Sequence, residues 1–286
     1  MCIRDRPAGV DKDGLLFCNQ YFADYPKNIP DGKFDPLTVE PEWMLLSYHK
    51  AACASSSRSG FDPQNAFDES IKSAWSATSG NSGEWLSVDL GKEYNVEAVQ
   101  VNFADCFTKK KRAPMKEYGG TFTQERYIEE ELVRYEYRIE YSSNGTDWAP
   151  YEETQNTVFP HKLIPRRARA RYIRIVFASA PYGQNFSISG LRVFGLDNNK
   201  KPSAVSGENA ERTSATEARL SWNSQNDAMG YCIRLGIAPD KLYNSILLYG
   251  QNDYTVTFLN KETEKYYFAV DSFNESGITK GSTNEF

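Results

Sequence analysis

Cysteine and histidine are scarce in this chain. The five cysteines, Cys2, Cys18, Cys53, Cys106 and Cys232, are odd in number and never in C-x-x-C spacing. That speaks against a zinc site or a disulfide framework and favours thiols packed as small hydrophobes, with one bridge, for example Cys53 with Cys106, as the alternative. His49 and His161 stand alone, and no nucleophile–base pair, metal cluster or Gly-rich phosphate loop is visible, so catalysis finds no support. No apolar run approaches the ~20 residues of a membrane span. A secretory leader is not expected either, because M-C-I-R-D-R at residues 1–6 runs into polar sequence rather than an apolar core. Basic residues are outnumbered, 33 Lys and Arg against 38 Asp and Glu. The acidic balance argues against a nucleic-acid partner, whose phosphates need a basic surface, and leaves neutral ligands open.

Aromatic residues are plentiful: 18 Tyr and 16 Phe suit strands, where rings pack on pleated faces. The 286 residues suggest about two domains. The most ordered pattern is residues 83–103, G-E-W-L-S-V-D-L-G-K-E-Y-N-V-E-A-V-Q-V-N-F. Residues 84–90 alternate, Gly91 and Lys92 break the run, and residues 96–103 alternate again. This predicts two half-buried strands, with Trp85, Leu86, Val88 and Leu90 in the core. Residues 135–141 alternate Tyr135, Tyr137, Ile139 and Tyr141 against Glu136, Arg138 and Glu140, a strand with one wet face. Asn144-Gly145 then signals a hairpin. In R-R-A-R-A-R-Y-I-R-I-V-F, residues 166–177, Ile173, Ile175 and Phe177 should face inward and the arginines outward.

Four passages in order carry a resemblance: W-L-S-V-D-L-G-K-x-Y-x-V, Y-S-S-N-G-T-D-W, A-R-Y-I-R-I and the closing S-I-S-G-L-R-V-F-G. Together they identify residues 43–196 as similar to the coagulation factor V/VIII type C, or discoidin, domain, whose family includes carbohydrate-binding modules of family 32. The resemblance implies a jelly-roll β-sandwich that binds a polysaccharide or glycan through its loops. Candidate ligand contacts are Arg58, Phe107, Tyr118, Tyr182, Asn185 and Phe186. Rings would stack on sugar faces, and Arg and Asn would bond their hydroxyls. Trp75 is expected in the core. The loop N-A-F-D-E-S-I-K-S-A-W, residues 65–75, resembles one in which the family often holds structural calcium, which implies Asp68 and Ser73 as ligands. Its departures are Glu69, Ser70 and, near the last strand, Gly190. A loop closed by hydrogen bonds from Asp68 is the alternative.

Residues 104–131 form a long insertion holding Phe107, Tyr118, Phe122 and Tyr127, suited either to stacking sugars or to packing against the preceding catalytic domain. The basic run 109–112 within it reads as a solvated loop tip.

The flanks read differently. M-C-I-R-D-R resembles a translated sequencing-adapter scar, against the alternative of an ordinary disordered terminus. Residues 7–42, with V-D-K-D-G-L-L-F-C-N-Q-Y-F-A-D-Y-P, resemble the C-terminal end of a glycoside hydrolase family 43 catalytic propeller. Asp11, Asp13, Asp24 and Asp31 match no catalytic position there and read as turn formers. The segment should either pack against the next domain, residues 43–196, or stand as an orphaned strand. Residues 197–202 read as a linker. Residues 203–286, with L-N-K-E-T-E-K-Y-Y-F-A-V-D-S-F-N-E-S-G, resemble a fibronectin type III domain, with Trp222 in its core and Tyr266 as its corner tyrosine. A spacer or docking role is its default.

The expected fold is therefore all-β: a discoidin-type jelly-roll sandwich followed by an immunoglobulin-like sandwich of the fibronectin type III kind. The expected function is non-catalytic glycan binding within a secreted bacterial glycoside hydrolase, placed outside the cell, in the periplasm or on the cell surface. The alternative is a brace that packs on an upstream catalytic domain and binds no sugar.

Overall fold

The computed structural model describes residues 6–286 apart from 105, 107–114, 119, 125–133, 158–160, 262 and 264. Among the described residues the regular structure is strand, apart from short 3-10 turns, as the all-β expectation required. The chain forms two compact units. One is Leu46–Gly195, and the other joins Met1–Leu45 to Leu196–Phe286.

The N-terminal segment begins with a hairpin of β1 (Ala8–Val10) and β2 (Leu16–Cys18). Its turn is built by Asp11, whose Oδ1 accepts from the Asp13 and Leu15 amides at 2.9 Å. Gly14 adopts φ +81 there. Asp11 is thus a turn former, and the strand Leu16–Cys18 has a partner in Ala8–Val10. β3 (Met44–Leu45) closes the segment.

The unit Leu46–Gly195 holds β4 (Ala51–Ala54), β5 (Trp75–Ser76), β6 (Trp85–Phe103), β7 (Met115–Tyr118), β8 (Thr121–Gln124), β9 (Tyr135–Ser142), β10 (Ala149–Thr157), β11 (His161–Ser179) and β12 (Ser187–Leu196). Strands run in the order β10-β9-β11-β6-β12, with β4 added on β6 and β5 on β12, while β7 and β8 pair as a separate hairpin. The two strands expected in residues 83–103 are one strand of 19 residues. Gly91, at φ +87, marks an irregularity rather than an end: Ala170 faces Tyr94 and Tyr172 faces Asp89, so the chain bulges and resumes in the same sheet. Leu86, Val88 and Leu90 lie in the core as expected. Trp85 is half-buried instead, because it sits at the strand's first residue beside the loops. Trp75, Tyr137, Ile139, Ile173, Ile175 and Phe177 complete the interior.

The arginines of β11 do face outward, and cross-strand carboxylates meet four of them. Arg167 pairs with Glu97 at 2.9 Å, Arg169 with Glu93 at 2.9 Å, Arg171 with Asp89 at 2.7 Å and Arg174 with Glu140 at 2.5 Å. Arg171 holds the Asp89 carboxyl below its usual range. The face is a ladder of ion pairs, not a basic patch.

In the other unit, β13 (Asn209–Arg212), β14 (Ala218–Ser221), β15 (Gly230–Gly236), β16 (Asn244–Tyr249), β17 (Asp253–Val256), β18 (Tyr267–Asn274), β19 (Gly277–Thr279) and β20 (Asn284–Glu285) form two sheets. One runs β13-β14-β17, the other β16-β15-β18-β19, with β20 also on β18. Leu220, Trp222, Ile233, Leu235, Val256, Phe268 and Val270 fill the space between them. The Tyr266 hydroxyl accepts from the Asn260 amide at 2.7 Å, which ties the strand entry to the preceding turn.

The second face of β15 and β18 is also covered. Cys232, Ala269, Asp271 and Phe273 are fully buried, and the N-terminal segment lies over them. Phe22 meets Phe273 edge-on at 5.1 Å, and the hydroxyls of Tyr25 and Tyr249 are 2.6 Å apart. Buried Asp271 accepts from the Tyr21 hydroxyl, from Arg234 through two bonds and from the Gly281 amide, each at 2.8 Å. A buried carboxylate persists only when so supplied with donors. Residues 7–42 are therefore not an orphaned strand: they form a third layer on the C-terminal sandwich. Cys18, Cys53 and Cys232 are free thiols, so no Cys53–Cys106 bridge forms.

Candidate functional site

Three loops of the unit Leu46–Gly195 interlock at one end of its sheet. They are residues 55–61 after β4, 77–84 between β5 and β6, and 180–186 between β11 and β12. The amides of Arg58 and Ala77 donate to Ser76 O and Phe186 O at 2.8 and 2.9 Å, and Asn185 Nδ2 donates to Ala77 O at 2.9 Å. The Gln184 side chain donates to the Tyr135 hydroxyl at 2.6 Å. Gly80 lies so close to the third loop that a Cβ there would meet Gln184 O at 2.3 Å. Trp75, fully buried, anchors the first loop from below by donating to Ser56 O at 3.1 Å.

Glu84 is the hub. Its carboxylate accepts from the hydroxyls of Ser55, of Ser56 at 2.8 Å and of Ser79 at 2.7 Å. Burial pushes the Glu84 carboxyl up, but the three serine hydroxyls together hold it below its usual range. The sequence reading passed over Glu84 as the start of a strand. The available signal was S-S-S at 55–57, with a carboxylate opening the next strand.

This framework sorts the candidate ligand contacts. Arg58 is exposed, with its backbone pinned and its side chain projecting outward. Tyr182 is 37% exposed on the short turn Pro181–Gly183 and takes a left-handed φ of +56. A bulky residue held there is strained. Asn185 is half-buried, and its amide is committed to Ala77 O.

Phe186 corrects the expectation. It is fully buried and stacks on Phe177 at 4.3 Å, because the first residues of β12 turn inward to cap the core. It cannot touch a ligand. Phe107 lies outside the described residues, as does the side chain of Tyr118, along with the basic run 109–112.

In the loop expected to hold calcium, Asp68 Oδ2 accepts from the Ser73 hydroxyl at 2.6 Å and Oδ1 from the Ser70 amide at 2.9 Å. Glu69, at φ +59, is paired with Arg192. Ca²⁺ takes six to eight oxygens, weighted toward carboxylates. Here Asp68 closes the loop and Glu69 is paired with a guanidinium, so both carboxylates are engaged within the protein. Among the described residues, no three His, Cys, Asp or Glu side chains gather as a metal site. His49 stacks on Tyr48 at 4.2 Å. The arrangement offers an outward aromatic ring and a guanidinium on a rigid loop base, which suits binding rather than bond cleavage.

Comparisons with known proteins bear on this unit. The family model described as F5/8 type C domain matches residues 50–123. No curated protein matches the chain. Among solved structures, the chain is similar to chitosan-binding module 1 from a chitosanase/glucanase of Paenibacillus sp. IK-5. There the identity is 22% and the TM-score 0.42, with 54% of this chain and 100% of that one covered. It is also similar to a family 32 carbohydrate-binding module in complex with 4,5-unsaturated mannuronic acid, at 20% identity and TM-score 0.39 over 53% and 98% of the two chains. A family 32 module from Clostridium perfringens, in complex with GlcNAc-α-1,4-galactose, shows 15% identity and TM-score 0.38 over 55% and 96%.

Proposed function

We propose that the unit Leu46–Gly195 is a non-catalytic carbohydrate-binding module. Its ligand surface is the apex of the three interlocked loops. The observation that carries this reading is the interlocked loop base: Glu84 ties loop 55–61 to loop 77–84, Ala77 and Ser79 tie loop 180–186 to them, and Tyr182 and Arg58 are left exposed. The F5/8 type C match over residues 50–123 supports it. Tyr182 stacks on the apolar face of a sugar ring and Arg58 donates to its hydroxyls. The loop 65–75 works without calcium.

The C-terminal sandwich belongs to the fibronectin type III kind. Its two facing sheets of three and five strands, buried Trp222 and the Tyr266–Asn260 tie support that assignment. The whole serves as an accessory region of a secreted bacterial glycoside hydrolase, with an upstream catalytic domain as its intramolecular partner.

Affinity electrophoresis of the full chain tests the binding reading, using gels that contain arabinoxylan, galactan, pectin or mucin. Retardation on at least one polymer is expected, weakened by Tyr182→Ala and by Arg58→Ala. No retardation on any of them, or retardation indifferent to both variants, would overturn it.

A further inference from the structure

The layered unit formed by Met1–Leu45 and Leu196–Phe286 contains a groove that the glycan-binding reading does not use. It runs between the N-terminal hairpin, residues 34–37 and the β15–β16 connection, and encloses about 390 Å³. A smaller cavity of about 150 Å³ continues it inward, with Leu37, Asp240 and Tyr243 common to both. The volume falls in the range of sites that hold a disaccharide-sized ligand, roughly 300–1,000 Å³.

Its walls have a consistent chemistry. Half-buried Phe34 and Tyr243 line it. Tyr243 is a fixed platform: Phe17 stacks behind it at 4.6 Å, and its hydroxyl donates to Asp11 Oδ2 at 2.9 Å. Leu37 is 41% exposed, so part of the wall is apolar and open. Every cation lining the groove is already matched. Lys12 meets Asp240 at 2.9 Å, and Lys241 meets Asp13 at 2.6 Å and Asp11 at 3.0 Å. Arg234 meets Asp271 at 2.8 Å, and Lys280 meets Glu40 at 2.9 Å. The 390 Å³ groove is lined by three carboxylates, Asp11, Asp35 and Asp240, against two ammonium groups, Lys12 and Lys241, so an anionic ligand meets a wall of like net charge. The exposed carboxylates of Asp35 and Asp240 can accept from hydroxyl donors. Ring walls, hydroxyl acceptors and pre-paired cations select a ligand that is uncharged, flat-faced and rich in hydroxyls.

We propose that this groove is a second carbohydrate-binding site, selective for a neutral oligosaccharide segment over a uronate. It stands independently of the loop cluster.

The test uses the full chain carrying Arg58→Ala and Tyr182→Ala, in gels containing arabinoxylan, xyloglucan or β-1,4-galactan, with polygalacturonate as the charged counter-probe. Residual retardation on a neutral polymer is expected, weakened about tenfold by adding Phe34→Ala, as for one lost ring contact. Leu37→Asp, at an exposed position, should do the same without touching the core. No residual retardation on any neutral polymer would overturn the proposal. So would retardation that ignores both groove variants, or groove-dependent retardation on polygalacturonate. Failure of the loop-cluster reading shows separately, as wild type and the double variant binding alike.

Discussion

Arg192 Nε donates to Glu69 Oε1 at 3.0 Å, and its Nη2 lies 2.9 Å from Oε2. The two side chains are only 5% and 15% exposed. Nη1 also donates to Gln100 Oε1 at 3.0 Å, so one guanidinium ties the loop 65–75 to both β12 and β6. Removing one partner strands a charge out of water, at a cost of about 3–5 kcal/mol, whereas replacing both with apolar groups is far milder. Glu69→Gln should therefore destabilise the unit strongly, and Glu69→Leu with Arg192→Met should restore much of the loss. Urea unfolding measures both. A double variant as weak as the sum of its singles would refute the coupling.

The same pair leads to a prediction about metal. With Asp68 closing its own loop and Glu69 held by Arg192, the folded state gains nothing from calcium. A ligand that binds only the native state raises the melting temperature by mass action. Melting in millimolar CaCl₂ and in EDTA should therefore coincide. A rise of several degrees with calcium, abolished by Asp68→Ala, would show that the loop rearranges around the ion.

Two aromatics of one loop should behave oppositely. Phe186→Ala empties a fully buried site beside Phe177 and should cost about 3–5 kcal/mol. Tyr182→Ala removes an exposed ring and should leave stability within roughly 0.5 kcal/mol, while lowering glycan retention. Thermal melts beside affinity gels separate the two. Equal destabilisation by both would place Tyr182 in the core and end its role as a platform.

That contrast marks what a sequence shows. Period-2 alternation exposes which face of β9 and β11 is buried, because burial repeats along the strand: Tyr137, Ile139, Ile173 and Ile175 were legible for that reason. Loop residues have no such period. Phe186 and Tyr182 share one loop, and only the inward turn of β12 decides which ring is buried. Nor does periodicity reveal pairing at a distance. Tyr21 and Asp271 lie 250 positions apart, and nothing local to either announces the bond between them. The third layer on the C-terminal sandwich was invisible for the same reason. The Glu84 hub depends on two loops converging, although its serines stand in plain view.

The third layer has its own pH signature. Lys27 lies within it and donates to Tyr21 O at 2.5 Å. Burial, reinforced by the charge of Arg6, pushes the Lys27 ammonium down to about 8, from an ordinary value near 10.5. Between those two values the unfolded chain holds a proton that the folded chain has released. Stability rises with pH wherever the unfolded state binds more protons. Lys27 should therefore add stability as pH climbs from about 7.5 to 9.5, against the opposing term of Cys232, whose buried thiol keeps its proton while the unfolded thiol ionises above about 8.5. Lys27→Met removes the titrating group and should flatten that rise while keeping the aliphatic packing. Urea midpoints at the two pH values, for wild type and variant, decide the matter. The difference between wild type and variant isolates Lys27 from Cys232: an unchanged slope in Lys27→Met would mean that the Lys27 ammonium is solvated and the N-terminal layer is not closed over it.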